Sequence, residues 1–257
     1  MNLGMDGKVA LVTAASGGMG RNIARALAAE GANVVLFARS ADKLQLIATE
    51  IEHEYGVKAQ AVAGSMLVAD DVQRLVGTLA GMGGPDIVVL VTGRPPNPLR
   101  DTLKETEVAR WQEAYDNQLL SVIQVVNGVA PLMIEKGWGR IVAITSASAK
   151  QPMAVHALST VFRAGVTAYM KGLANELGPN GITVNCVAPA LIDTTHRTGS
   201  SAYTTAQAQH RQGLTPLGRM GTQEELCGVV AFLASRQAGF VTGSTIAVEG
   251  GMIASLF

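Results

Sequence analysis

Short apolar runs alternate along the chain with longer segments in which apolar residues recur at helical spacing. The runs predict strands, and most are continuously apolar, as in strands covered on both faces. The predicted strands are Val9–Thr13, Asn33–Ala38, Lys58–Ala63, Asp86–Thr92, Arg140–Thr145, Ile182–Ala188 and Thr245–Val248. The predicted helices span about 18–30, 40–55, 69–81, 107–136, 156–178 and 222–235. This alternation predicts an α/β fold, a doubly wound parallel sheet of about seven strands with right-handed crossovers.

No Pro/Ser-rich linker or block of charge interrupts this alternation, so residues 1–257 are predicted to form one domain. The least regular stretch, about 193–215, is polar and follows the carboxyl end of the sixth predicted strand. Doubly wound sheets bind ligands at that edge. The stretch is therefore either a solvated linker or a segment that covers a substrate, as long loops inside compact domains often do.

Composition narrows the classes of partner. The 257 residues are 48% hydrophobic, with 20 basic and 20 acidic side chains, so no excess charge points to nucleic acid or an anionic membrane. We find no apolar run that approaches the roughly 20 residues of a membrane span. Cys186 and Cys227 lack metal-ligand spacing, so we expect no metal site but two buried thiols. With no signal-peptide pattern in MNLGMDGK, a cytoplasmic location is expected.

The stretch Lys8–Leu27 is the most informative one in the chain, because a predicted strand enters a turn of small residues and a helix leaves it. Such a turn directs free backbone N–H groups and the positive end of a helix at one point, where a phosphate binds. Glycines allow the backbone to approach a diphosphate closely. The candidate phosphate-binding residues are Thr13, Ser16, Gly17, Gly18, Met19 and Gly20.

The second predicted strand ends at Ala38 and is followed by Arg39. An acidic residue at this point would bind the adenine ribose hydroxyls, as NAD requires. Arg39 is instead suited to a 2′-phosphate or to stacking on adenine, so NADP is favoured over NAD. The alternative is a solvated arginine with no ligand.

Two further strand ends are predicted to lie at the same edge of the sheet. Thr92 and Gly93 follow the fourth strand, and Gly93 leaves space for a ribose unless it is only a turn glycine. Pro189, Ile192 and Thr194 follow the sixth strand, where backbone groups and a hydroxyl are placed to bind a carboxamide.

These motifs make the chain resemble the short-chain dehydrogenase/reductase (SDR) family along nearly its whole length, with particular similarity to 3-oxoacyl-[acyl-carrier-protein] reductases. The resemblance rests on TAASGGMG (13–20), Asn117 in WQEAYDNQLLS, ITSAS (144–148), ITVNCVAPALIDT (182–194) and TGSTIAVEGG (242–251). It implies a single-domain Rossmann-like fold and hydride transfer between NAD(P) and small-molecule alcohols or carbonyls. It also implies a homo-oligomer, commonly a tetramer.

The same resemblance implies an Asn, a Ser, a Tyr and a Lys as catalytic residues, and here only Asn117 and Ser146 match. Ser159 stands at the Tyr position and Arg163 at the Lys position, while Tyr169 lies too far along the helix to substitute. The candidate site is thus Ser146, Asn117, Ser159 and Arg163.

A serine hydroxyl is a far weaker acid than a phenol, whose pKa is about 10. Arg163 keeps a positive charge but cannot give up a proton. Ser146 and Ser159 would then hydrogen-bond a carbonyl oxygen, with the proton supplied by water or by His156. A histidine at a helix entry is more commonly a surface or capping residue.

Three other departures concern the cofactor site. Ala14 replaces the first glycine of the motif and is expected to keep a negative φ. Leu90–Gly93 replaces an Asn-Asn-Ala-Gly segment, which removes an Asn that ties the sheet together. Gly64 and Ser65 stand where an Asp usually binds the adenine.

Two functions follow. The first is an NAD(P)-dependent oxidoreductase with an atypical Ser-Ser-Arg site, acting on a secondary alcohol or ketone or on a 3-hydroxyacyl or 3-oxoacyl substrate. The second is a catalytically inactive subunit, with or without a bound cofactor, in a hetero-oligomer with another SDR subunit. Halohydrin dehalogenases also place Arg at the Lys position, but they keep the Tyr, so the chain fits them poorly.

Overall fold

In the computed structural model of this chain, the described residues are 2–193, 209–210 and 212–256. Seven parallel strands form one sheet in the order β3-β2-β1-β4-β5-β6-β7. The strands are β1 (Val9–Thr13), β2 (Asn33–Ala38), β3 (Ala59–Ala63), β4 (Ile87–Leu90), β5 (Gly139–Ile144), β6 (Ile182–Pro189) and β7 (Thr245–Val248). The predicted doubly wound parallel sheet is confirmed.

Helices cover both faces of the sheet, because the strands alternate side chains between two buried layers. The helices are α1 (Gly18–Ala29), α2 (Ala41–Tyr55), α3 (Ala69–Gly81), α4 (Val108–Tyr115), α5 (Ser121–Lys136), α6 (Ala157–Leu177) and α7 (Gln223–Ala234). Ala10 and Val12 of β1 face the layer that contains α1, α2 and α7, whereas Val9 and Leu11 face the layer of α3, α5 and α6.

The order of the strands reverses between β1 and β4, which leaves a crevice at the carboxyl ends of these neighbours. Thr13 ties the two strands together there. Its hydroxyl donates to Val91 O at 2.7 Å and accepts from Val91 N at 2.8 Å. This pair of bonds joins β1 to the continuation of β4, within the Leu90–Gly93 segment that lacks the Asn of the family.

The predicted helix 107–136 is a single helical stretch with an irregular centre. A five-residue π-helical turn, Asp116–Leu120, joins α4 to α5. Within the described residues, Val108–Lys136 is the one stretch whose length and composition would allow a membrane span, with mean hydropathy 1.3 over its most apolar window. The expectation that no stretch is this apolar was therefore wrong. Val125, Val129 and Met133 pack in the core beneath the sheet, which accounts for the apolar composition.

Candidate functional site

The turn between β1 and α1 is open where a phosphate would bind. A Cβ atom added to Gly17 or Gly18 would meet no atom of the described residues within 4 Å, whereas one on Gly20 would lie 2.5 Å from Ala14 O. Gly20 is therefore needed for packing, and Gly17 and Gly18 line free space. Among the described residues, no side chain caps the first turn of α1, and no acidic residue lies in that turn. The first N–H groups of a helix have no partner inside the helix, so these residues fit a dinucleotide diphosphate.

Ala14 does not behave as expected, because its φ is +49° and not negative. The left-handed conformation costs an L-residue roughly 1–2 kcal/mol relative to glycine. The turn geometry is imposed from both sides: Ala15 N donates to Phe37 O at 3.3 Å, and Gly20 packs on the Ala14 carbonyl. The turn therefore keeps the left-handed conformation that is typical of glycine, although the residue at this position is an alanine.

Arg39 and Arg94 follow β2 and β4 and are both exposed. Neither pairs with a carboxylate among residues 2–193 and the described residues that follow them. At the end of β3, Gly64 allows Phe37 and Asp71 to approach, since an added Cβ would lie 2.8 and 2.9 Å from them. The Asp71 carboxylate accepts from Ser65 N at 2.8 Å, and this bond lowers the pKa of Asp71.

Asn117 and Gly93 are brought together. Asn117 lies in the π-helical turn, a feature that is frequent at functional sites. A Cβ on Gly93 would be 3.6 Å from the Asn117 Cβ, so the two residues are close neighbours. Next to them, Thr92 Oγ1 is buried without a hydrogen-bond partner among the described residues.

Ser146 and Ser148 form a pair directly after β5. Their hydroxyl oxygens are 2.9 Å apart, and Ser148 N donates to Ser146 Oγ at 3.2 Å. Ser148 is fully buried and Ser146 is half-buried. When the Ser148 hydroxyl donates to Ser146 Oγ, the Ser146 hydrogen is free to point outwards at a substrate oxygen. Sequence reasoning missed this role of Ser148, although the Ser-Ala-Ser spacing gave a signal.

Ser159 and Arg163 lie four residues apart on α6 and are both buried, so they share one face of the helix. The Arg163 guanidinium points into the protein. Its Nε donates to Gln118 Oε1 at 3.1 Å, and its two terminal nitrogens donate to Ile144 O at 2.8 Å and Gly93 O at 3.0 Å. Burial lowers the pKa of Arg163 to about 10, so the group stays charged at neutral pH.

His156, one turn before Ser159, has a defined orientation. Its Nδ1 lies 2.7 Å from Ala154 O. A carbonyl oxygen only accepts, so Nδ1 carries a hydrogen, and the ring donates a proton from Nε2 only as an imidazolium. The residue before it, Val155, has a φ of +56°, which is unusual for a β-branched side chain.

Arg110 holds the loop after Gly93. It forms a buried ion pair with Glu105, whose oxygens lie 2.8 Å from Nε and 2.9 Å from one terminal nitrogen. The same guanidinium donates to the carbonyls of Pro96, Asn97 and Pro98 at 3.3, 3.2 and 2.7 Å. The hydrogen bond from Arg110 lowers the pKa of Glu105. The loop 94–98 is thus fixed by a residue that the sequence pattern did not single out.

The segment after β6 is held by a short parallel bridge between Ile192 and Gly221. This bridge uses Asp193 N, which donates to Gly221 O at 2.8 Å, and Leu191 O, which accepts from Gly221 N at 3.0 Å. The N–H and C=O of Ile192 take no part in these two bonds and point to the other side. Pro189 ends β6 and is half-buried. Thr194 and most of the 193–215 segment lie outside the described residues.

Known proteins share this architecture along its whole length. The family described as enoyl-(acyl carrier protein) reductase matches residues 13–253. The 3-oxoacyl-[acyl-carrier-protein] reductase FabG of Pseudomonas aeruginosa is 36% identical over 259 residues, covering 98% of this chain and 100% of the relative. The corresponding FabG of Aquifex aeolicus is 32% identical, with 98% and 100% of the chains covered.

Among solved structures, L-sorbose reductase from Gluconobacter frateurii, complexed with NADPH and L-sorbose, matches with a TM-score of 0.90. It is 30% identical, and the match covers 100% of both chains. With a family match over 13–253 and a seven-stranded parallel sheet of this order, the chain belongs to the short-chain dehydrogenase/reductase family of NAD(P)-dependent oxidoreductases.

Proposed function

We propose that this chain binds NADP(H) in preference to NAD(H) and interconverts a ketone and a secondary alcohol at a Ser-Ser-Arg site. The observation that carries the proposal is a first turn of α1 that no described side chain caps, with space at Gly17 and Gly18, and an Arg39 that is exposed and unpaired among the described residues. N–H groups and a guanidinium suit the diphosphate and the 2′-phosphate respectively.

When bound at this site, NADP(H) would supply or accept the hydride. The residues of the chain orient the substrate oxygen and stabilise its developing charge. Ser146 donates a hydrogen bond to that oxygen and is itself polarised by Ser148. Ser159 and the buried charge of Arg163 add to the stabilisation, and Asn117 and Gly93 form the wall beside the nicotinamide ribose. Because no phenol is present at the usual position, the proton comes from water or from His156.

The substrate class comes from the relatives. The FabG proteins are named as reductases of 3-oxoacyl groups on acyl carrier protein, and the sorbose reductase structure contains a sugar ketone. We propose a 3-oxoacyl thioester or a ketone as the substrate of this chain. We also propose that the chain forms a homo-tetramer in the cytoplasm.

A second candidate function has its own observation. Arg163 is bound entirely to protein groups and Ser159 is a poor acid, so the chain is also suited to be an inactive subunit that pairs with an active SDR subunit. Such a subunit would bind the nucleotide without turning over substrate, or bind neither.

The experiment that tests these functions is nucleotide binding followed by turnover. NADPH and NADH are titrated into the purified chain, and NADPH oxidation is then followed with 3-oxoacyl thioesters, ketoses and simple ketones. We expect NADPH to bind at least tenfold more tightly than NADH and at least one carbonyl class to be reduced. Binding without turnover over the whole panel favours the inactive subunit. If neither nucleotide binds, the proposed NADP(H)-dependent activity is refuted.

Gly17→Val provides a matched variant for this experiment. Gly17 has a φ of 171°, which is extended backbone that any residue adopts, and its added Cβ meets nothing within 4 Å. The variant should therefore fold as well as the parent protein while valine fills the space of the phosphate. Unchanged NADPH affinity in Gly17→Val would contradict the proposed binding site.

A further inference from the structure

The backbone pairing between β4 and β5 ends at the point where the candidate site begins. The regular pairing of these strands ends at Leu90 with Ala143. Gly93, beside Asn117, and Ser146 both lie beyond that last pair. Some other contact must fix the distance between the two strand continuations, because a cofactor wall and a substrate-binding hydroxyl need defined positions.

Arg163 supplies this contact. One terminal nitrogen donates to Gly93 O after β4, and the other donates to Ile144 O at the end of β5. The third bond, to Gln118 Oε1, holds the guanidinium from the side of the π-helical turn that carries Asn117. The guanidinium thus connects three elements of the site, and its side chain is almost completely buried.

The shape of the group matters more than its charge. A guanidinium is planar and directs its N–H groups along fixed, divergent directions, so it serves three acceptors at once. A lysine ammonium is a single point of charge on a flexible stem and cannot bridge acceptors on two strands and a helix in the same way. No carboxylate of the described residues pairs with Arg163, so its bonds are all to neutral oxygens.

We propose that Arg163 is a positioning residue that joins the ends of β4 and β5 and thereby sets the places of Gly93 and Ser146, rather than a ligand of the nicotinamide ribose. The proposal deepens the proposed function, since both residues belong to that site. Arg163 acts through Gly93 and Ser146, so a lysine, although usual in the family, is not an adequate replacement.

Arg140 offers a control of the same chemistry at the opposite edge of the sheet. It is a buried arginine whose Nε donates to Ser235 O at 2.9 Å and whose terminal nitrogen donates to Gly139 O at 2.8 Å. Loss of Arg140 should cost stability without touching the candidate site.

The test compares Arg163→Lys, Arg163→Met and Arg140→Met in three measurements, which are thermal unfolding, NADPH affinity and amide hydrogen exchange. In both Arg163 variants we expect exchange at Thr145 and Ser148, whose N–H groups donate to Val187 O and Ser146 Oγ, to accelerate at least tenfold, with α2 and β3 unchanged. NADPH should bind at least tenfold more weakly. In Arg140→Met the melting temperature should fall, while NADPH affinity stays within twofold.

If Arg163→Lys keeps the exchange pattern and the NADPH affinity of the parent protein, a cation alone suffices and the proposal is wrong. If the Arg163 variants do not fold, Gln118→Leu removes one acceptor only. It should then accelerate exchange at the same amides by a smaller factor, and unchanged exchange would equally overturn the proposal. Exchange is measured without nucleotide, so failure of the parent protein to bind NADPH would refute the proposed function and leave this test intact.

Discussion

The amino ends and the carboxyl ends of the strands form two edges of the sheet, and these two edges are built in opposite ways. At the amino edge, Asp86 accepts from Val9 N at 2.8 Å and from the ammonium groups of Lys8 and Lys136 at 3.3 and 2.6 Å. The charged groups of Lys8 and Arg140 lie over the Trp138 ring, 4.1 and 4.5 Å from its centroid. Every group named here has a partner within the chain, and among the described residues the one buried polar atom without a partner near these strand starts is Thr183 Oγ1 of β6.

The carboxyl edge contains groups that lack partners. The first turn of α1 is uncapped, Arg39 is exposed, and the buried Thr92 Oγ1 and Gln118 Nε2 form no hydrogen bond among the described residues. Buried polar atoms without a partner cost about 1–3 kcal/mol each. Such a cost is tolerated where a ligand satisfies the groups, and at this edge the uncapped turn of α1 and the exposed Arg39 are groups that a nucleotide would satisfy.

Backbone strain follows the same division. The turns from helix to strand at the amino edge place glycines at left-handed positions, for example Gly56 and Gly137. The three described non-glycine residues with positive φ are Ala14, Val155 and Leu191, and all lie at the carboxyl edge. Strain of this kind concentrates at functional sites.

The largest effect is expected at the carboxyl edge from Ser146→Ala. Loss of one preorganised donor to a developing oxyanion lowers kcat by about 10²–10³-fold, while thermal unfolding should shift little. The measurement is steady-state reduction with the best substrate of the panel. Ser148→Ala is the matched control, because it removes the polarising hydroxyl but keeps the Ser146 donor, and it should reduce kcat less. Equal kcat in Ser146→Ala and the parent protein would exclude the proposed role.

The second effect belongs to the amino edge. Asp86→Ala removes the acceptor of Val9 N and the partner of two lysines, and it should lower the free energy of unfolding by about 2–3 kcal/mol. NADPH affinity should not change, because the cofactor edge is not involved. Chemical denaturation together with NADPH titration measures both quantities. Asp86→Asn keeps the acceptor and should lose less. A large loss of NADPH affinity in Asp86→Ala would show that the amino edge also affects cofactor binding, contrary to the comparison of the two edges.

Much of this organisation could be predicted from the sequence. Apolar runs such as Ile182–Ala188 placed the strands to within one or two residues at most ends, since strands buried on both faces must be apolar throughout. The turn of Gly17 and Gly18 was likewise correctly placed between β1 and α1. Local chemistry fixes such features.

Other features depend on contacts between distant parts of the chain. The inward direction of Arg163 depends on two carbonyls 19 and 70 residues away, and no local pattern encodes that choice. The left-handed Ala14 depends on the packing of Gly20 and the bond to Phe37 O, so propensity alone gave the wrong sign of φ. Arg110 was missed for the same reason, because its partners are backbone carbonyls of a proline-rich loop.

A smaller effect is expected from Arg39→Ala. Removal of a charge-assisted contact to the 2′-phosphate should weaken NADPH binding about tenfold, which corresponds to about 1.4 kcal/mol. NADH affinity should stay nearly constant, because that nucleotide lacks the phosphate. Titration at two salt concentrations sharpens the result, since the preference for NADPH in the parent protein should shrink at high salt. Arg94→Ala is the control for a neighbouring exposed cation. Parallel losses for both nucleotides in Arg39→Ala would contradict the NADP assignment.

The smallest effect tests the strain at the carboxyl edge directly. Ala14→Gly removes the cost of the left-handed conformation, about 1–2 kcal/mol, but glycine also gains freedom in the unfolded chain, which offsets about 0.5–1 kcal/mol. The net result should be a gain in the free energy of unfolding of about 0–1.5 kcal/mol, measured by denaturant titration. Ala15→Gly is the control, because Ala15 is buried and has no positive φ; it should be destabilising. If both glycine variants lose stability to the same extent, Ala14 is not strained, and the backbone part of the contrast between the two edges is lost.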